Sequence, residues 1–252
     1  MPDLSSGSSG AFLFNKSLKQ STSRHLGFKT TFLTSVGFIG FLVGLYFLGY
    51  IVTWIAEPTS PPQNVFLSNI TDHQATISWT TEKATKGAVR IGKTLYKDDG
   101  DKDLKKQGFY TTHHVTVTNL LPGTTYQFNI YQGAKSVYQG SFFTADSLLG
   151  LTTPSPVYGR ILGEGKTPIV GAIVYFRAEG TKGKSSLLSA LTNIDGRWSI
   201  DLGNLRASNL ENPFQMSKDV QEEIIVEGGS KGRGKVTASV GEDKPWKDVI
   251  LR

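Results

Sequence analysis

Hydrophobic and polar positions divide the chain into stretches of different period. From Phe32 to Ala56, FLTSVGFIGFLVGLYFLGYIVTWIA, 25 residues pass without a charge. At 1.5 Å of rise per residue a helix of this length is about 38 Å long, enough to span a hydrocarbon core with some tilt. The stretch is apolar on every face, which a helix buried in a soluble domain rarely is over such a length. Beyond it the period falls to two: Val65-x-Leu67, Ala75-x-Ile77-x-Trp79, Ala88-Val89-Arg90-Ile91, Val115-x-Val117, Tyr126-x-Phe128-x-Ile130 and Phe142-Phe143. Short alternating runs with turn residues between them predict a β-sandwich of about seven strands. After a turn-rich stretch around Thr152 to Pro156 the pattern restarts, with Ile173-Val174-Tyr175-Phe176 as a buried strand and Val249-Ile250-Leu251 near the end.

The expected fold class is therefore all-β, two tandem sandwiches preceded by one transmembrane α-helix. The expected segments are a disordered basic tail (1–29), a signal-anchor helix (30–56), a Pro-rich linker (57–61), a first sandwich (62–146), a linker (147–155) and a second sandwich (156–252). Lys16, Lys19, Arg24 and Lys29 precede the span and Glu57 is the first charge after it. The positive-inside bias then places the tail in the cytoplasm and both sandwiches outside the plasma membrane. Tyr46, Tyr50 and Trp54 gather at the outer end, as interfacial aromatics do. The apolar run is too long for a cleaved signal peptide, and Trp54 occupies the −3 place before Ala56. Gly40-x-x-x-Gly44 lets two such helices pack closely, which would make a homodimer.

Composition narrows the chemistry. The 252 residues include no cysteine, which excludes disulfides, thiolate nucleophiles and Cys-based metal centres. A small outer module without disulfides must stand on its core alone, more in the manner of a prokaryotic surface protein than of an animal one. The net charge of +6 is scattered and partly spent flanking the apolar span, so no basic stripe marks a nucleic-acid partner.

Three resemblances refine the sandwiches. TNLLPGTTYQF, residues 118–128, resembles the corner before strand F of fibronectin type III modules, and Trp79 in ATISWTT matches their core tryptophan. The resemblance implies that Pro122 and Gly123 form the turn and that the Tyr126 hydroxyl bonds to upstream backbone. The order of ISWTT, GAVRIG, HHVTV, LLPGTTYQF and GSFFTA is similar to the N-terminal module of purple acid phosphatases. No metal-binding catalytic half follows it. In the second sandwich, VYGRILGEGKTPIVGAIVYFR (157–177) followed by LTNIDGRWSIDL (191–202) resembles the carboxypeptidase regulatory-like domain, a transthyretin-like sandwich without catalysis in that family. Gly171 is expected where strands cross closely, Asp195-Gly196 as a hairpin turn, and Trp198 in the core.

Candidate chemistry is sparse. His113 and His114 adjoin on a strand, point to opposite faces, and cannot chelate one ion together. Asp99, Asp101 and Asp103 in KDDGDKD are candidate calcium ligands. The glycine and glutamate of a calcium loop are absent, however, so a solvated loop is expected. GGSKGRGKV, residues 228–236, matches a phosphate loop and a nucleophile elbow in spacing. Both motifs must open a helix, and VTASV continues as a strand, so a basic hairpin tip is expected. Its Lys231, Arg233 and Lys235 are candidates for contact with an acidic partner. The long connection 203–219 is a further candidate binding loop. Asn69-Ile70-Thr71 is a glycosylation sequon.

No convergent acid, base and nucleophile emerges from the outer half, so no enzyme activity and no cofactor are expected. The leading reading is a membrane-anchored interaction or adhesion protein with a protein partner at the cell surface. The alternatives are a structural subunit of a cell-envelope assembly, of the secretion or pilus type, and a glycan-binding accessory module using Tyr96, Tyr110 and Tyr138.

Overall fold

The computed structural model describes residues 37–48, 59–102, 107–148, 153–241 and 244–252. It divides into two units, Met1–Ala56 and Glu57–Arg252. In the first, residues 37–48 are helical, and Phe38, Phe41, Leu45 and Phe47 are all exposed. No helix among the described residues is long and apolar enough to cross a membrane. The remainder of the expected span, with Trp54, lies outside the described residues, as do Lys29 and the tail. Gly40 and Gly44 stand one turn apart on the helix, with open space where a side chain would be.

The first sandwich has the seven strands expected. They are β1 (Gln63–Ser68), β2 (Gln74–Thr85), β3 (Ala88–Ile91), β4 (Thr94–Lys97), β5 (Tyr110–Thr118), β6 (Thr125–Gln132) and β7 (Lys135–Phe143). One sheet has the order β1-β2-β5 and the other β4-β3-β6-β7, with every pairing antiparallel. Alternation puts Ala75, Ile77 and Trp79 of β2 inward, opposite Val117, Val115 and His113 of β5, and Trp79 is fully buried. The corner before β6 forms as the resemblance implies. Tyr126 Oη accepts the Leu121 N–H at 2.8 Å, and its ring stacks on Phe142. Gly123 has φ +57, a left-handed conformation that favours glycine.

The second sandwich comprises β8 (Pro156–Leu162), β9 (Ile173–Gly180), β10 (Gly183–Lys184), β11 (Leu188–Leu191), β12 (Arg197–Asp201), β13 (Gln221–Glu227), β14 (Arg233–Ser239) and β15 (Val249–Ile250). One sheet runs β10-β9-β13-β14 with β11 also on β9, and the other runs β12-β8-β15. The β15–β8 pair is parallel and the rest are antiparallel. Phe176, Ile224, Ile161 and Trp198 fill the core between the sheets. Phe214 and Met216 from the long connection pack against that core, so this part of the loop covers a core edge.

Two expectations fail locally. Asp195-Gly196 does not close a hairpin, because β11 pairs with β9 while β12 pairs with β8 in the other sheet. The turn carries the chain from sheet to sheet. Gly196 has φ +70, its carbonyl accepts the Ile161 N–H at 2.8 Å, and a Cβ would meet the Ile161 carbonyl. Gly171 is not required by a close strand crossing either, since a Cβ would find only Thr112 Oγ1, at 4.0 Å. It is required by its φ of +72.

Candidate functional site

The unusual face of the first sandwich is the outer one. On β2 the positions between the core residues are Thr76, Ser78 and Thr80, and all three are buried although they point away from the core. A polar face of a sheet is ordinarily open to water. Here small hydroxyl groups alternate with the core residues because the second sandwich lies over them. Phe66 of β1 meets Tyr175 of β9 edge to face at 5.2 Å. Ser78 Oγ lies 2.8 Å from Tyr175 Oη, and Thr112 Oγ1 donates to the Gly171 carbonyl at 2.7 Å. Burial pushes the Tyr175 hydroxyl pKa well above its ordinary value, so it stays a neutral partner for Ser78.

Asn69 joins the two modules most densely. Its backbone N–H donates to the Leu187 carbonyl at 2.9 Å. Its side-chain oxygen accepts the Ser189 N–H at 2.9 Å, and its amide nitrogen donates to the Ser189 carbonyl at 3.0 Å. The residue sits at φ +51, a conformation asparagine tolerates better than other non-glycine residues. The sequon nitrogen is thus occupied inside the interface, and a glycan on it would displace Ser189.

Next to Asn69, three side chains fall into the order acid, base, hydroxyl. Asp99 Oδ2 is 2.7 Å from His114 Nδ1, and His114 Nε2 is 2.9 Å from Ser189 Oγ. A carboxylate only accepts, so Nδ1 carries the proton. In the neutral ring, Nε2 then accepts from the Ser189 hydroxyl. Thr116 Oγ1 also donates to Asp99, at 2.6 Å. Burial raises the Asp99 pKa, but the hydrogen bond and charge interaction with His114, the Thr116 hydrogen bond and the Lys102 charge outweigh it, leaving the carboxyl below its ordinary value. This is the connectivity of a serine hydrolase triad, yet its setting is closed. Ser189 is 8% exposed, Ser68 Oγ lies against it at 2.7 Å and Asn69 Nδ2 at 3.2 Å. A carbonyl carbon reaches the oxygen only if the modules part. The three groups act as a hydrogen-bonded bridge between the sandwiches.

The parallel arrangement one residue earlier confirms a structural logic. Asp98 Oδ2 is 2.8 Å from His113 Nδ1, His113 Nε2 is 3.1 Å from Thr85 Oγ1, and the His113 ring stacks on Trp79 at 4.8 Å. β5 is the edge of its sheet, so successive Asp residues beside it reach successive His residues on its two faces. KDDGDKD is therefore not the solvated loop expected. Asp98 and Asp101 are 2% and 5% exposed, and Asp101 accepts from Gly108 N–H and from the Tyr110 hydroxyl. Burial and the Asp101 hydrogen bond push Tyr110 up to about 12. Of the candidate calcium ligands, Asp99 and Asp101 are engaged with these partners and Asp103 lies outside the described residues. No cluster of three or more His, Asp or Glu among the described residues is placed to hold a metal ion.

The GGSKGRGKV segment forms the β13–β14 hairpin, as expected, but its tip is not free. The 3-10 turn Gly229–Lys231 is seated on the first sandwich, where Ser230 N–H donates to Thr111 Oγ1 at 3.4 Å. Arg233 pairs with Glu227 and Lys235 with Glu223, each at 2.5 Å, while Lys231 is exposed. Glu227 is 2% exposed, and burial raises its pKa against the lowering effect of Arg233. It borders a cleft of about 400 Å³ between the modules, with Asn64, Thr80 and Ser230. Tyr96 and Tyr138 stand on β4 and β7, at opposite edges of one sheet, and Tyr110 is on the other sheet. They form no shared platform for a sugar.

Neither Asn69 nor the Asp99–His114–Ser189 bridge was evident as a site from sequence. The outward Thr and Ser of ATISWTT gave no clear signal, because Thr is an ordinary occupant of a solvent-facing strand position.

Comparison with known proteins identifies one module. Residues 60–145 match the family model of the fibronectin type III domain. A curated relative, myosin-binding protein H-like from Mus musculus, is 28% identical over 123 residues, covering 46% of this chain. The match spans only 30% of the mouse protein's length. Among solved structures, a computer-redesigned β-sandwich protein is 25% identical with a TM-score of 0.26, over 35% of this chain and 98% of that one. The central fibronectin-III array of RIM-binding protein is 15% identical with a TM-score of 0.26, over 71% of this chain and 63% of the other.

Proposed function

We propose that the chain is a single-pass membrane protein that holds two docked β-sandwiches outside the membrane as one non-catalytic interaction unit. The observation that carries this reading is the buried hydroxyl face of the first sandwich, where Asn69, His114, Ser78 and Thr112 bond across to the second. Locking two modules side by side fixes the relative positions of their exposed loops, which suits recognition of a large partner. Support for a protein partner comes from the fibronectin type III match and from a relative whose name describes myosin binding.

The anchor reading rests on the 25 uncharged residues from Phe32 to Ala56 and on the apolar side chains exposed around residues 37–48. In it, Gly40 and Gly44 offer a surface for a second anchor helix. The second sandwich is taken as a carboxypeptidase regulatory-like domain that braces the first, and Lys231 as a contact for an acidic partner.

The absence of cysteine makes topology directly measurable. Lys93→Cys, in the exposed β3–β4 turn, should react with a membrane-impermeant maleimide in intact cells. Ser8→Cys, in the tail, should react only after permeabilisation. The reverse pattern would refute the proposed orientation, and release of the protein by carbonate washing would refute the anchor.

A further inference from the structure

The second sandwich carries a cavity of about 680 Å³ on the sheet β12-β8-β15. Its chemistry comes from cross-strand register. Arg197 of β12 pairs with Arg160 of β8, and Ser199 pairs with Tyr158, so these four line one patch of the sheet. Two arginines directly opposite one another repel, and the fold offsets only one of them. Arg160 Nη2 bonds Asp248 Oδ2 at 2.7 Å. Arg197 is exposed and has no ion-pair partner among the described residues. Tyr158 presents a ring that is 45% exposed beside them. Trp198 and Trp246 also border the cavity, and their indole N–H groups are buried without a hydrogen-bond acceptor among the described residues.

We propose that this cavity binds an acidic saccharide, a pyranose ring bearing a carboxylate. Ligand sites commonly combine aromatic walls with a few oriented polar groups, and that description fits here. The uncompensated Arg197 guanidinium suits a carboxylate, which it can hold through two parallel hydrogen bonds. The exposed Tyr158 ring suits the C–H face of a pyranose. The Arg160–Asp248 pair retains both donors and acceptors, which suits sugar hydroxyls that do both. A neutral sugar leaves Arg197 unmet, and an acidic peptide brings no C–H ring face to Tyr158. One acidic sugar meets all three.

The site lies outside the intermodule bridge, so its failure leaves the proposed topology and docking standing. Full-length protein in nanodiscs is titrated with galacturonate oligomers, neutral galactose oligomers and tetraglutamate, reading tryptophan fluorescence and heat. The galacturonate oligomers should bind, and neutral oligomers should bind about tenfold more weakly or worse, as befits a lost charge-assisted contact. Arg197→Ala should bring the acidic oligomers to the neutral level, while Tyr158→Ala should weaken both sugars. Both positions are exposed, and unchanged near-ultraviolet circular dichroism would show that the variants fold. Equal binding of the neutral oligomers would overturn the proposal. So would tetraglutamate binding as tightly as the acidic sugar, an Arg197→Ala variant with undiminished affinity, or no binding of any probe at millimolar concentration.

Discussion

At the scale of single residues, the Asn69 side chain substitutes for a length of strand backbone, accepting from Ser189 N–H and donating to the Ser189 carbonyl. Asn69→Ala removes both bonds and leaves the Ser189 peptide groups without partners at the interface. The expected cost is about 1–3 kcal/mol, the penalty for orphaned polar groups, read as a lower urea midpoint. The two perturbed interface acids give opposite pH signatures. Asp99 has its folded pKa lowered, so its contribution is present above the unfolded value and is lost as pH falls through the folded value. Glu227 has its folded pKa raised, so its contribution is present in acid and is lost as pH rises through the folded value. Stability curves against pH should therefore flatten on the acid side in Asp99→Asn. Glu227→Gln should gain stability relative to wild type as pH rises towards neutrality. An Asp99→Asn curve identical to wild type in acid would contradict the first assignment.

At the scale of elements, the β13–β14 hairpin was legible because VTASV alternates after a glycine-rich run. Its docking was not legible, since nothing in GGSKGRGKV distinguishes a solvated tip from a seated one. Gly229 makes the difference: it holds φ +60, and a Cβ there would meet the Thr111 side chain. Gly229→Ala should cost about 1–3 kcal/mol of backbone strain and raise hydrogen exchange at Ser230, whose N–H faces Thr111. Unchanged exchange there would mean the turn is not seated. Other elements were hidden for separate reasons. β4, TLYK, carries a single half-buried residue and so lacks an alternating pattern. Asp98 and Asp99 looked solvated because clustered carboxylates usually are. Their burial depends on two histidines that lie close only once β5 forms the sheet edge. The Asp195-Gly196 turn looked like a hairpin because local sequence reveals the turn and not the sheet to which each flanking strand belongs.

At the scale of the whole molecule, the strand-rich outer half was readable from period-two runs, and the fibronectin type III match falls where the LLPGTTYQF corner placed it. The relation of the two sandwiches to one another was not readable, because docking is set by side chains more than a hundred residues apart, such as Asn69 and Ser189. A domain boundary in sequence says nothing about whether the domains move independently, and the default for linked domains is that they do. Here a closely bonded polar interface, including the closed Asp99–His114–Ser189 bridge, opposes that default. The joined unit is also what makes the proposed function distinct from that of two modules on a flexible string. Scanning calorimetry of the full chain in detergent tests this most directly. The account predicts one cooperative transition for both sandwiches, separating into two when Asn69→Ala loosens the interface. Two resolved transitions in the unmodified protein would contradict it.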